Sequence, residues 1–234
     1  MMEESGLHRR SKIQIILQGF IVTPIALMAI LLISAGRWDY WQAWCLTGLS
    51  MILLAVNLVL MRNAPDVINE RLAPGKGGKN WDKLLVSTVS LLTVFSMIIG
   101  GLDSGRYGWS PIFNWLLYGL FFFLYILGQA LFFWSMKTNR FFSSLVRIQK
   151  DRDHKVCQEG PYQFVRHPGY LGWIIYTILT PLILGSLWGL IPQGMAFILM
   201  LVRTQLEDDT LRKELPRYIE YTNKVKYRLV PGIW

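Results

Sequence analysis

The sequence predicts an all-α integral membrane protein with about six hydrophobic helices, the last two of which form a hairpin. Two observations carry this prediction. Only 17% of the 234 residues are charged and 53% are hydrophobic, whereas soluble domains carry about 25% charged residues. The uncharged residues also cluster in runs long enough to cross a bilayer. The apolar content excludes intrinsic disorder, and the presence of only two cysteines excludes a disulfide scaffold.

Four hydrophobic runs occupy the first part of the chain. They are Ile13–Ile33, Trp41–Met61, Leu84–Leu102 and Ile112–Met136. The basic stretch before the first run resembles the start of a signal peptide, but the run is longer than a signal core and has no small-residue cleavage site. We therefore interpret all four runs as membrane spans and assign residues 1–136 to an N-terminal membrane region.

The last uncharged stretch, Tyr170–Val202, is too long for one span. As a single helix it would extend about 50 Å. Its interrupting residues are Pro181, Gly185, Gly189, Pro192 and Gly194. We predict a helical hairpin with arms Tyr170–Leu184 and Leu187 onward, the second arm continuing beyond the membrane toward Leu215. Residues 137–234 would then form a second, catalytic region.

The basic residues predict the orientation. With six segments both termini lie on one side, and of the 24 Lys and Arg residues only Arg37 and Arg106 fall on the opposite side. The positive-inside rule then places both termini in the cytoplasm, and we expect a prokaryotic plasma membrane. The net charge of +9 is explained by anionic membrane lipids, so no nucleic-acid partner is predicted. Cys45 and Cys157 would lie on opposite sides and could not pair.

No charged residue or histidine interrupts the hydrophobic runs. Pumps and proton-coupled carriers normally need such residues within the membrane, so transport is disfavoured. Any chemistry should therefore depend on the long cytosolic segments, Lys137–Gly169 and Arg203–Trp234.

The stretch GPYQFVRHPGYLG, residues 160–172, is the most informative. Pro168 suits the first turn of a helix, where its missing N–H costs nothing. Arg166 and His167 would then lie at a positive helix N-terminus that favours an anionic group, and we predict a catalytic part for Arg166. The alternative is an ordinary membrane-surface anchor of basic and aromatic residues.

Arg203 and Glu207 are four residues apart and would share a helix face. They could form an ordinary ion pair, or they could bind an anionic substrate and a polar ligand, respectively. Asp208 and Asp209 are expected to be solvated. His154 has no second ligand at a metal-like spacing, so no metal site is predicted. Nor does the sequence contain a phosphate-binding loop or a strand-embedded GxGxxG motif.

Taken with the RTQLEDD segment and the YxxY tail, GPYQFVRHPGYLG resembles the isoprenylcysteine carboxyl methyltransferase family, which is related to the phospholipid methyltransferases. The resemblance covers about Phe141–Trp234. It implies an S-adenosylmethionine (SAM) site formed by cytosolic cofactor-binding loops and the last helices, with Arg203 placed for the substrate. The implied cofactor contacts are Gln149, His154, Lys155, Val156, Cys157, Tyr162, His167, Pro168, Gly169, Tyr170 and Glu207.

The implied reaction is methyl transfer to a carboxylate or a thiol of a lipophilic small-molecule or lipidated acceptor that enters from the bilayer. Its main requirement is to hold the nucleophile and the methyl group close and aligned. A carboxylate acceptor is already ionised and needs no general base, whereas an amine or thiol would need deprotonation. A phospholipid N-methyltransferase, an NADPH-dependent membrane reductase and a non-enzymatic scaffold remain alternatives. The sequence does not predict the oligomeric state.

Overall fold

The computed structural model describes residues 21–72 and 74–234, and these ranges contain α-helices joined by turns and no strand. The helices are α1 (Thr23–Ala35), α2 (Trp41–Leu60), α3 (Pro65–Leu72), α4 (Asn80–Gly100), α5 (Trp115–Thr138), α6 (Pro168–Ile183), α7 (Leu190–Glu214) and α8 (Tyr218–Lys224). A π-helical turn, Gly101–Tyr107, extends α4. The all-α prediction is confirmed.

The second, third and fourth predicted spans agree with observed helices. Helices α2, α4 with its π-helical turn, and α5 are long and apolar enough to cross a membrane, while α1 and α6 are shorter apolar helices. The first part of the predicted Ile13–Ile33 span lies outside the described residues. The protein is an integral membrane protein.

The predicted C-terminal hairpin is also present. Helices α6 and α7 are joined by a turn in which Gly185 has a φ of 81°, a backbone conformation that favours glycine. A Cβ at this position would lie 2.8 Å from the Tyr118 hydroxyl. The turn therefore requires glycine for both its conformation and its packing.

Helices α5 and α6 are antiparallel, and their backbones lie in direct contact. A Cβ on Gly128 would lie 2.9 Å from the backbone nitrogen of Tyr176, and a Cβ on Gly172 would lie 2.7 Å from the carbonyl oxygen of Gly128. Small residues allow this close approach between helices in a membrane. The contact fixes the start of α6 beside the end of α5. We call this the site end of the bundle.

Helices α4 and α7 form a second antiparallel pair. Ser96 donates to the carbonyl oxygen of Gly189 at 2.7 Å, and Arg203 pairs with Asp82 at 2.6 Å nearer the site end. The proposed division at residue 136 stays a prediction, and this ion pair joins its two regions. A second buried ion pair, Glu70–Arg147, joins them again.

The opposite end of the bundle is closed by polar contacts. Asp103 is fully buried and accepts hydrogen bonds from the Ser110 backbone and the Ser186 hydroxyl. Tyr40 donates to the carbonyl oxygen of Leu184 at 2.6 Å. These contacts tie the α6–α7 turn to the π-helical turn and leave the site end as the more open one.

Candidate active site

A polar cleft lies at the site end, where the loop after α5, the start of α6 and the second half of α7 meet. It encloses about 790 Å³ of empty space, including its open mouth. Of the predicted cofactor contacts, the cleft is lined by Gln149, His154, Lys155, Val156, Cys157, Tyr162, His167, Gly169, Tyr170 and Glu207. Residues that the sequence separates by up to 58 positions are thus brought to one surface.

Pro168 is not among the lining residues. It is the first residue of α6, where its ring suits the helix start. Pro168 therefore determines where α6 begins, and the next two residues, Gly169 and Tyr170, line the cleft. A Cβ on Gly169 would lie 2.6 Å from the Phe142 ring, so glycine is needed there for packing.

His167, Tyr170 and Glu207 form one wall of the cleft. The His167 and Tyr170 rings stack with centroids 5.6 Å apart and an interplanar angle of 7°. The Tyr170 hydroxyl donates to Glu207, and His167 Nδ1 lies 4.0 Å from the same carboxylate. This wall offers a carboxylate and two flat ring surfaces to a bound molecule.

Arg166 also lines the cleft, but its donors are used within the protein. Its guanidinium makes two hydrogen bonds to Asp208, at 2.7 and 3.0 Å, and two more to the carbonyl oxygens of Val225 and Lys226. The predicted catalytic part for Arg166 stays a prediction. The observed contacts instead make Arg166 the link between the loop before α6 and the C-terminal tail.

Asp208 is the centre of this link, and the expectation that it is solvated was wrong. Its side chain is 0% exposed. Besides Arg166 and His167, it accepts hydrogen bonds from Tyr218, Arg212 and Arg228. Burial by itself would raise its pKa, but hydrogen bonds from His167 and Arg166 hold the pKa well below its usual range.

Gln149 and His154 form the opposite wall. The Gln149 side chain is engaged at both ends, donating to the carbonyl oxygen of Phe141 and accepting from Arg152. The His154 ring packs on Phe141 with centroids 4.6 Å apart. Burial, with Arg147 and Arg152 nearby, lowers the pKa of His154 to about 4. The imidazole is therefore neutral at pH 7.

The segment from Lys155 to Tyr162 lines the remainder of this side. Lys155 is exposed and pairs with Asp153, while burial raises the pKa of the Cys157 thiol. The Tyr162 ring is buried, and its carbonyl oxygen accepts a 2.6 Å hydrogen bond from Tyr221. The turn that carries Tyr162 is therefore held by α8.

Arg203 does not line the polar cleft. It is 6% exposed, pairs with Asp82 through two hydrogen bonds, and lies over the Tyr170 ring at 4.9 Å. An ion pair with Glu207, one of the two alternatives for these residues, is absent among the contacts of the described residues, because Arg203 pairs with Asp82 on α4. Arg203 lines a second cavity instead.

This second cavity extends from the site end into the helical bundle and encloses about 1100 Å³ with its mouth. Its lining includes Leu53, Leu54, Arg71, Val86, Val89, Ser90, Gln129, Phe132, Phe133, Tyr170, Trp173, Tyr176, Met200 and Arg203. A deeper cavity shares Ser50, Ser90, Trp173 and Tyr176 with it. We call these two connected cavities the apolar channel.

Tyr170 lines both the polar cleft and the apolar channel. Its hydroxyl faces Glu207 in the cleft and its ring faces Arg203 of the channel. A polar molecule in the cleft and an apolar molecule in the channel would therefore meet beside this ring. The arrangement is suited to group transfer between a water-soluble donor and a membrane-soluble acceptor.

Sequence reasoning missed three acidic residues that hold the site together: Glu70, Asp82 and Asp208. Glu70 binds Arg147 by two short hydrogen bonds, and Asp82 also accepts from the backbone of Val146. The sequence feature that could have indicated the role of Asp82 is its position in the first turn of α4, within a basic segment. The described residues contain no group of three or more potential metal ligands.

The fold and this pair of cavities define a helical integral membrane protein with a polar cleft joined to an apolar channel. Residues 120–213 match the sequence model of the isoprenylcysteine carboxyl methyltransferase (ICMT) family, the same family that the motifs resemble.

Individual relatives lead to the same family. The chain is similar to a protein-S-isoprenylcysteine O-methyltransferase of Saccharomyces cerevisiae, with 34% identity over 44% of each chain. It is also similar to an enzyme of the same name from Dictyostelium discoideum, with 31% identity over 39% of each chain. A third, from Arabidopsis thaliana, is 38% identical over 25% of this chain and 30% of the relative. The matched region thus spans less than half of each relative.

Proposed function

We propose that the protein is a SAM-dependent methyltransferase that esterifies a carboxylate on a lipophilic acceptor, with an isoprenylcysteine-like molecule as the acceptor class. The observation that carries the proposal is the meeting of the polar cleft and the apolar channel at Tyr170. The names of the relatives, protein-S-isoprenylcysteine O-methyltransferase, support the same chemistry.

The chemistry of the cleft fits SAM. When bound, SAM supplies a methyl group on a positively charged sulfur. Glu207 offers a carboxylate to cationic or hydroxyl groups, and the His167 and Tyr170 rings offer flat surfaces to an aromatic base. The cleft also lies at the start of α6, and the positive end of a helix dipole favours a carboxylate. Gln149 would act by shaping the wall, since both ends of its side chain are engaged.

The chemistry of the channel fits an acidic amphiphile. Its walls are mostly apolar, with the guanidinium groups of Arg71 and Arg203 near the end that meets the cleft. These cations favour an ionised carboxylate and disfavour an ammonium group. A carboxylate needs no base before it attacks a methyl group. A thiol would need to lose a proton, and His154, the neutral imidazole, lines the cleft rather than the channel.

The protein's contribution would be positioning and the exclusion of water. The Tyr170 ring contacts both Arg203 and His167 and lines both binding regions, so it would help to position both reactants. Holding both reactants at a short, aligned distance removes much of the entropic part of the barrier.

We propose that the site end faces the cytoplasm. The distribution of Lys and Arg supports this orientation, and a cytosolic cleft would have access to a water-soluble cofactor. A C-terminal reporter fusion should be active only when located in the cytoplasm. Activity on the other side of the membrane would contradict the six-segment topology.

The experiment uses purified protein in lipid nanodiscs with methyl-tritiated SAM and N-acetyl-S-farnesylcysteine. Ester formation is expected to yield label that mild base releases as volatile methanol. Base-stable label would indicate methylation at nitrogen or sulfur, as a phospholipid N-methyltransferase would give. Absence of SAM binding would contradict the methyltransferase proposal and favour the reductase or scaffold alternatives.

A further inference from the structure

Arg71, on the short helix α3, carries a guanidinium with no ionic partner among the described residues. Its positive charge lies over the rings of Phe132 and Phe142, 5.2 Å from each centroid. The adjacent Glu70 cannot serve it, because Glu70 binds Arg147. Cation–π contacts of this kind leave the N–H donors at the edge of the guanidinium free to bind another group.

The other cation of the apolar channel is already neutralised. Arg203 pairs with Asp82 through two hydrogen bonds and donates a third to Ser144. Arg71 lines the same cavity and bears no such counter-charge in the described part of the chain. A half-buried cation is costly unless an anion joins it. The described residues therefore leave one positive charge of the channel without a counter-charge.

We propose that Arg71 is the receptor for the acceptor's carboxylate and that the channel selects amphiphiles with one carboxylate head and an apolar tail. This inference rests on the proposed function, but the carboxylate binding that it describes does not require methyl transfer. The fork of a guanidinium matches the two oxygens of a carboxylate. Tyr170, which borders the cleft, lines the same cavity as Arg71.

The channel has room for the tail of such a molecule. Its lining along α6 runs from Tyr170 at the head to Thr180 in the deeper cavity. Ten residues of helix span about 15 Å, which is roughly half of a hydrocarbon core of about 30 Å. Apart from Gln129 and a few hydroxyl groups, the walls between these points are apolar, so a medium-length alkyl or prenyl chain suits them.

The observations favour a carboxylate over the other lipid head groups. An ammonium head would be repelled by the positive charge of Arg71. A phosphate carries more charge than one unpaired guanidinium balances. A neutral ester would leave the Arg71 donors unsatisfied, so the product of esterification should bind less tightly than the acid and leave the channel.

The experiment measures binding of radiolabelled dodecanoate to the purified full-length protein without SAM, with unlabelled methyl dodecanoate, dodecylamine and dodecyl phosphate as competitors. Wild type should prefer dodecanoate over each competitor by tenfold or more. Arg71→Gln should lose at least tenfold in dodecanoate affinity while its weaker affinity for the methyl ester stays the same. Arg71→Lys should recover part of the loss, since it restores the charge without the fork.

Arg62→Gln is the matched control, because Arg62 is an exposed arginine close to α3 in the chain and lies outside both cavities. It should bind dodecanoate like wild type. Equal dodecanoate binding by Arg71→Gln and wild type would overturn the proposal, as would tighter binding of the amine or the phosphate. If Arg71→Gln does not fold, the wild-type protein decides the question through its relative affinity for dodecanoate and methyl dodecanoate. Equal affinity for the acid and the ester would overturn the proposal.

The two proposals fail separately. Dodecanoate binding that depends on Arg71 in a protein that does not bind SAM would refute the methyltransferase proposal and keep the carboxylate site. Ester formation with unchanged turnover and affinity in Arg71→Gln would keep the enzyme and refute the assignment of Arg71.

Discussion

The Arg203 guanidinium pairs with Asp82 on α4, and not with Glu207 on its own helix. The two partners are 121 positions apart in the sequence, and both are almost completely buried. Asp82 also accepts a hydrogen bond from the backbone of Val146 in the loop that lines the cleft. One carboxylate thus fixes both the arginine of the apolar channel and a wall of the polar cleft.

Substituting Asp82→Asn should therefore be strongly destabilising. It leaves Arg203 as a buried cation without a counter-charge, a change that costs about 3–5 kcal/mol. The melting temperature of the detergent-solubilised protein should fall accordingly. The double variant Asp82→Leu/Arg203→Met, which removes both charges, should regain much of the loss. If Asp82→Asn and the double variant melt like wild type, the pair has no structural role.

Local features of this structure were predictable from the sequence, whereas contacts between distant residues were not. The apolar run Trp41–Met61 predicted α2 within one residue, because hydrophobic length is a local property. The stretch containing Pro168 and Tyr170 predicted the start of α6 for the same reason. The motif resemblance also selected most of the residues that line the cleft.

The partners of the charged residues were not predictable in this way. Asp208 was expected to be solvated because its helix has left the apolar stretch, but the tail folds back and covers it with Tyr218 and Arg228. Spacing predicted that Arg203 would face Glu207, yet its real partner comes from another helix. The partner of each charged residue depends on tertiary packing, and local patterns in a single sequence do not determine that packing.

Tyr170→Phe should weaken SAM binding and leave the fold intact. The substitution keeps the ring between His167 and Arg203 and removes only the hydroxyl that holds Glu207. Losing a hydrogen bond to a charged group should cost about 1.5–3 kcal/mol in SAM affinity, measured by calorimetry. Tyr176→Phe is the matched control, since Tyr176 lines the apolar channel and not the cleft. Equal SAM affinity in both variants would show that SAM binding does not depend on the hydrogen bond from Tyr170 to Glu207.

Asp208→Asn should destabilise the C-terminal region and alter its response to acid. The folded-state pKa of Asp208 lies below its usual range, so its contribution is present above the unfolded-state pKa of about 3.9 and is lost as the pH falls below it. The variant should melt earlier than wild type at pH 7, and the difference should narrow toward pH 3. Asp209→Asn, which affects a single contact with Gln205, should change stability by less than about 0.5 kcal/mol.

His154 should give the protein a pH-dependent stability in a different range. Its folded-state pKa is about 4, against an ordinary value of about 6.5. Between these values the unfolded chain binds a proton that the folded protein does not. Stability should therefore rise as the pH increases from 4 to 6.5 and should gain nothing more from this group above 6.5.

The test for His154 compares melting temperatures of wild type and His154→Phe across this range. Phenylalanine preserves an aromatic ring against Phe141 but cannot titrate, so the variant's melting temperature should change less between pH 4 and 6.5 than that of wild type. At pH 7, where His154 is neutral, the two proteins should differ mainly through the lost hydrogen bond from the Gln149 backbone to His154 Nδ1, by about 1 kcal/mol. Parallel pH profiles in the two proteins would show that His154 is protonated equally easily in the folded and unfolded chains, and that the cleft does not keep it neutral.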